Sequence, residues 1–146
     1  MGFVSEYLSA TKRAKRATIL LVDDDPFQAF AHRAALERQF ANIDRASDAS
    51  SAFIRVQVPG YTESLALIVV GLRLPGLAGP AVVSELQARA PRVPILVIGR
   101  LGETAADYQG LNIGFLPRSA SAEELLAGAS ALLSSALLSS GLRQVA

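Results

Sequence analysis

Three uninterrupted apolar runs, Thr18 to Val22 (TILLV), Leu65 to Val70 (LALIVV) and Val93 to Ile98 (VPILVI), constrain this chain more than any other feature. A strand with one wet face alternates apolar and polar residues, whereas a strand covered on both faces reads as a continuous run of this length. Helices must therefore lie above and below the sheet these runs would build. Asn42 to Ala46 and Ile113 to Leu116 are shorter and weaker runs that suit its edges.

Helix signals fall between the runs. Asp25 followed by Pro26 is an N-cap with proline at the first helical position, and Phe27, Phe30, Ala31 and Ala34 recur at i, i+3, i+4 and i+7 as an apolar stripe. This predicts a helix from Pro26 to Gln39. Asp48 caps a second helix that buries Ala52, Phe53 and Val56, and Gly79-Pro80 opens a third that buries Val82, Val83 and Leu86. A fourth, around Glu103 to Gln109, is short and poor in apolar residues. Ser121 with Glu124 three residues on is a capping box, and Leu125, Leu126, Ala129, Leu132, Leu133, Ala136 and Leu137 form the stripe of the fifth. Five β-α repeats joined by right-handed crossovers predict an α/β fold. It is a flavodoxin-like, doubly wound, five-stranded parallel sheet of order 2-1-3-4-5 with helices on both faces.

Composition narrows the chemistry. The chain has 146 residues, about half of them apolar (51%), with no internal repeat or long linker, which predicts one domain over residues 18–134. A basic extension, residues 1–17, precedes it, and residues 135–146 prolong the fifth helix into a tail. Absence of cysteine excludes thiolate zinc sites, redox pairs and thiol nucleophiles. The single histidine, His32, lies beside Ala31 in the first predicted helix and reads as a partly exposed surface residue rather than a ligand. With 14 Lys and Arg against 13 Asp and Glu, the surface as a whole does not favour a polyanion. The cluster Lys12, Arg13, Lys15 and Arg16 has no matching basic stripe and reads as a solvated tail, so nucleic acid is not an expected partner. No apolar run approaches the roughly 20 residues that span a bilayer, and the basic cluster follows the apolar start instead of preceding it as in a secretory signal. The cytoplasm is the expected location, with no membrane partner.

Open parallel sheets bind ligands at the carboxyl ends of their strands. There the first run ends in Asp23-Asp24-Asp25. Adjacent carboxylates repel one another unless a hard cation such as Mg2+ takes their oxygens. Equally, Asp25 can cap the helix while the other two are solvated.

ILLVDDDP at Ile19 to Pro26 resembles the acidic-pair segment of the receiver domain of two-component response regulators. LIVVGLRLPGLAGPAVVSEL at Leu67 to Leu86 resembles that family's phosphoacceptor strand, loop and third helix. PILVIG at Pro94 to Gly99 and GFLPRSASAEELLAGA at Gly114 to Ala129 complete the pattern. The departures are informative. The resemblance places the family's phosphoacceptor aspartate at Gly71, its switch Ser/Thr at Gly99, its lysine at Arg118 and the following proline at Ser119. A hydrogen side chain can neither accept a phosphoryl group nor supply a third carboxylate. Asp23 and Asp24 are then left as two metal-binding carboxylates without their partner, so no resident cofactor is expected, Mg2+ being the one candidate. The fork-shaped guanidinium of Arg118 either reaches Asp23 or Asp24 or points to solvent. Phe115 falls at the family's switch aromatic, and with Gly99 beside it the ring is expected to be mainly buried.

What the resemblance implies is a stand-alone pseudo-receiver: a phosphorylation-independent protein-interaction module in signal transduction, not an enzyme, with no output domain following. Its implied partners are a histidine kinase or phosphotransfer protein at the first helix, or another receiver at the face around Phe115. The leucines of LLSSALLSS at Leu132 to Ser140, Leu133 and Leu137 among them, would be exposed on a monomer and suggest a homodimer or a partner helix. Two other readings are a receiver phosphorylated at Asp23 or Asp24, and a small-ligand or anion sensor using the room at Gly71 and Gly99 beside Arg118 and Arg100.

Overall fold

In a computed structural model, the structure describes residues 18–74, 76 and 78–145, with side chains as far as residue 136. The expectations for residues 1–17 and for Leu137 lie outside the described residues. The strands are β1 (Thr18–Val22), β2 (Asn42–Ala46), β3 (Leu65–Val70), β4 (Ile95–Ile98) and β5 (Gly114–Leu116). The helices are α1 (Pro26–Leu36), α2 (Ala49–Gln57), α3 (Gly79–Arg89) and α4 (Ala122–Val145), with one further helical turn at Tyr61–Ser64 before β3. All strand pairs are parallel and the order is β2-β1-β3-β4-β5, as predicted.

The continuous apolar runs divide between two cores, because successive residues of a strand face opposite ways. Leu20, Val22, Ile68, Val70, Ile95 and Val97 pack with α2 and α3 on one side. Ile19, Leu21, Leu67, Val69, Leu96 and Ile98 pack with α1 and α4 on the other. Both faces of the central strands are therefore dry. Replacing a fully buried leucine such as Leu20 by alanine would cost about 2–5 kcal/mol in such a core. β1 pairs with β3 through an irregularity at its first residue, where the partner changes from Leu65 to Leu67, and the ladder then runs evenly to Val22 and Val70. This regularity brings the carboxyl ends of β1 and β3 level with each other.

The termini of the helices follow the local chemistry. Asp25 accepts the Phe27 and Gln28 amides at the start of α1, Asp48 accepts Ser51 N–H at α2, and Ser121 and Glu124 exchange hydrogen bonds at α4. In place of a fourth full helix, the chain between β4 and β5 makes one 3₁₀ turn, Ala105–Tyr108. Gly102 and Gly110, both left-handed at φ 85° and 87°, bracket it and let the backbone reverse in this short distance.

Two packing expectations are corrected. The stripe Phe27, Phe30, Ala31 and Ala34 of α1 faces away from the core, with Phe27 87% and Phe30 78% exposed. The buried face is instead Ala29, Ala35 and Leu36. Small alanines let α1 lie close to the sheet and α4, whereas two phenylalanines there would hold it off. At the other end, Leu133 is buried in the α1-α4 core and Leu132 packs against it, so neither is a free apolar residue. None of the helices among the described residues is long and apolar enough to cross a membrane.

Candidate functional site

At the carboxyl end of β1 the backbone carries Asp23 into the core with none of its surface exposed. A buried carboxylate needs partners, and Asp23 has one at every polar atom. Its N–H donates to the Ala46 carbonyl (3.0 Å), and its own carbonyl accepts Nε and Nη2 of Arg45 (3.1 and 3.0 Å). Of its side-chain oxygens, Oδ1 accepts the Asp25 amide (3.0 Å) and Oδ2 faces Nδ1 of His32 (3.0 Å). With a proton on Nδ1 the imidazole donates to Oδ2.

His32 is therefore partly exposed, as expected, but does more than sit at the surface. Its side chain is only 16% exposed and turns inward from α1 toward Asp23, with Gln28 Nε2 at 3.5 Å from its other ring nitrogen. The turn of helix that buries Ala29 and Leu36 is what puts Gln28 and His32, four residues apart, on this side. Arg45 and Arg73 are two further residues that sequence reasoning passed over.

Asp24 is bound in a different way. Oδ1 accepts the Arg73 amide (2.8 Å) and Oδ2 the Leu74 amide (2.9 Å), so this carboxylate grips the loop that follows β3. Asp25 adds a salt bridge from Oδ2 to Nη1 of Arg73 (2.7 Å). The Gln28 amide above all, together with that of Phe27 and with Arg73, holds the Asp25 carboxyl below its ordinary value despite some desolvation.

Gly71 follows β3 and is buried, its N–H donating to the Val22 carbonyl (2.8 Å). A Cβ at this position would stand 3.3 Å from Asp23 Oδ2 and 3.8 Å from His32 Cε1. Asp23, Asp24 and Gly71 thus share one corner of the sheet, and His32 completes it.

The next strand ends differently. A Cβ on Gly99 would lie 2.5 Å from Cζ and 2.9 Å from Cε2 of Phe115, so the ring occupies the place of a side chain. Phe115 is partly buried, packs against the α2-α3 core and meets Tyr108 with ring centroids 5.7 Å apart. Tyr108 is buried and donates to Glu103 Oε1 (3.0 Å), which also accepts the Arg100 amide (2.7 Å). Burial and then the Glu103 carboxylate push the Tyr108 phenol far above its ordinary range. Its hydroxyl also rests on Gly79, where a Cβ would collide with it. One aromatic pair therefore pins the start of α3 and the 3₁₀ turn to β5. Arg100 connects the two corners, its Nε donating to the Leu72 carbonyl (3.2 Å).

Arg118 is exposed on the connection from β5 to α4, and Asp23 and Asp24 take their hydrogen bonds from other groups. The ion pair considered for it is replaced by His32 and by the backbone amides of Arg73 and Leu74. The guanidinium that does reach the acidic run is that of Arg73, on the loop it has to anchor.

The sequence matches the response regulator receiver domain over residues 19–127, and the chain belongs to that family. It is 27% identical over 103 residues to the gliding motility regulatory protein of Myxococcus xanthus, a match covering 69% of this chain and 13% of that protein. It is 36% identical over 76 residues to the transcriptional regulatory protein TctD of Salmonella typhimurium, covering 50% of this chain and 34% of that one. The chain thus spans about a third or less of the length of these curated relatives. A solved response regulator receiver protein from Sinorhizobium medicae superposes with a TM-score of 0.70 at 20% identity, over 84% of this chain and 98% of that one, a likeness of fold. The chain is a receiver domain of the kind found in two-component signalling.

The family implies a divalent cation at the acidic corner, and the oxygens here do not fit one. Both Asp24 side-chain oxygens are held by amides, both Asp23 side-chain oxygens have donors, and Gly71 brings no carboxylate. Among the described residues no group of three or more His, Asp or Glu side chains is arranged to hold a metal ion.

Proposed function

We propose that this receiver signals without phosphoryl transfer, as a protein-interaction module held in one conformation and without enzymatic turnover. The observation that carries the reading is the corner formed by Asp23, Asp24 and Gly71. Where the resemblance places the attacking carboxylate there is a hydrogen atom, and every oxygen of the two remaining carboxylates is already engaged by one of the chain's own donors. No acyl phosphate can form without an oxygen nucleophile at that point.

The second corner supports the same reading. In a phosphate-gated receiver a hydroxyl at position 99 would draw its loop toward the phosphoryl group and make room for the aromatic ring. Here Gly99 offers no hydroxyl, and Phe115 already fills the space. Docking is then constitutive. The exposed α1 stripe of Phe27, Phe30, Ala31 and Ala34, together with the exposed Leu74 on the loop that Asp24 holds, is the surface for a histidine kinase or phosphotransfer protein. Another receiver at the face around Phe115 is the alternative partner. The working unit is residues 18–134, acting in the cytoplasm.

A nuclear magnetic resonance titration with beryllofluoride, an acyl-phosphate mimic, and Mg2+ tests this reading. The amides of Gly71, Gly99 and Phe115 are expected to keep their shifts relative to a fluoride control. Movement of Gly99 and Phe115 together on adding the mimic would overturn it.

A further inference from the structure

We infer that His32 is the built-in replacement for a metal ion in this domain: its imidazole occupies the donor position on Asp23 that a divalent cation would need, and so closes the site. The inference rests on the reading that the corner does no phosphoryl chemistry, and it names what keeps the corner stable instead.

Asp23 is fully buried, and a carboxylate in such a place must be compensated by a cation or by hydrogen bonds. Its Oδ1 faces the Asp25 amide, within its own loop. Its Oδ2 faces the space in front of Gly71, and among the described residues His32 Nδ1 reaches it there at 3.0 Å. The ring also fills room as well as valence. His32 Cε1 lies 3.8 Å from where a Cβ on Gly71 would be, so the imidazole stands beside the position of the missing third carboxylate. A cation bridging residues 23 and 71 would have to displace it. The glycine and the histidine form a matched pair: without the carboxylate the site lacks the charge to recruit a cation, and with the imidazole it no longer requires one.

The two changes therefore have to be reversed together before metal binds at full affinity. Four proteins are compared, native, Gly71→Asp, His32→Ala and the double variant, by Mn2+ electron paramagnetic resonance and by Mg2+-dependent thermal shift. The native protein is expected to bind neither ion at millimolar concentration. Gly71→Asp alone should bind at least about tenfold more weakly than the double variant, whose melting temperature should rise by about 4 °C at Mg2+ roughly ten times its dissociation constant. If His32→Ala does not fold, His32→Asn takes its place in both backgrounds. Asparagine keeps an N–H near the Nδ1 position while withdrawing Cε1 and Nε2 from Gly71, and the double variant should then bind at least threefold more tightly than Gly71→Asp.

Metal binding by the native protein, or equal affinity in Gly71→Asp with and without His32, would overturn the inference. Neither result touches the proposed function, which is overturned by phosphoryl transfer to the native protein or by beryllofluoride moving Gly99 and Phe115 together.

Discussion

Gly71 and Gly99 end neighbouring strands of one sheet, and their missing side chains are handled in opposite ways. At Gly71 the space borders a polar corner, and the fold sends donors to it: His32 from α1, and the Arg73 and Leu74 amides from the following loop. At Gly99 the space borders the apolar core, and the fold sends a ring, Phe115, backed by Tyr108. One corner is stabilised by hydrogen bonds to a buried charge and the other by close packing. The first should tolerate a restored Cβ but not the loss of its donor. The second should tolerate no Cβ at all.

That contrast can be broken in graded steps. The largest effect is expected for His32→Ala, which leaves Oδ2 of buried Asp23 without a donor and should lower stability by about 3 kcal/mol in urea unfolding. Gly99→Thr comes next, because the added atoms meet the Phe115 ring. A loss of about 2 kcal/mol is expected. In a double-mutant cycle, Phe115→Ala should cost at least about 1 kcal/mol less in the Gly99→Thr background than in the native one. Additive costs would mean that the ring does not hold that corner. Gly71→Ala should change stability by less than about 1 kcal/mol, since its Cβ finds only a slightly tight contact with Asp23 Oδ2. The smallest effect belongs to the rim of the acidic run. The Asp25 carboxyl is lowered in the folded chain, so its cap and its bond to Arg73 contribute stability above the ordinary carboxylate pKa of about 3.9 and lose it as pH falls through the folded value. Asp25→Asn still caps α1 but cannot take up a proton there, and its melting temperature should fall less steeply than the native one between neutral pH and pH 3.

The framework of this fold is legible in the sequence for a simple reason. Buried parallel strands must be apolar on both faces, so TILLV and LALIVV announce themselves, and the crossover rule then orders them. The phase of α1 is not legible in the same way. Two apolar sets run along that helix, Phe27-Phe30-Ala31-Ala34 and Ala29-Ala35-Leu36, and periodicity favours the larger side chains, whereas packing against sheet and α4 favours the smaller. The same phase hides the inward role of His32, because a helix turned the other way points its imidazole away from Asp23. One signal was available: with Asp25 as cap, Gln28 and Ala29 lie together on the next turn, and His32 follows on the same side. At the site, the glycines and Asp23-Asp24 could be read from spacing and resemblance. The Arg118 ion pair could not be decided, because only coordinates show that His32 and two amides already satisfy both carboxylates.

The α1 stripe gives the corner its use. Phe27 and Phe30 stand exposed immediately after the run that Asp23, Asp24 and Asp25 immobilise, so the rigidity of the corner is passed directly to the surface proposed for docking. A receiver that cycles would need that region to change with phosphate, and here each of its carboxylates is tied to a fixed donor.

The most direct test of the account is the intact mass of the protein after incubation with acetyl phosphate and Mg2+, run beside the Gly71→Asp/His32→Ala variant. The native protein should gain no phosphoryl group, while the variant, with nucleophile and cation access both restored, should gain one. A phosphoryl group on the native chain, mapped by peptide analysis to Asp23 or Asp24, would contradict it.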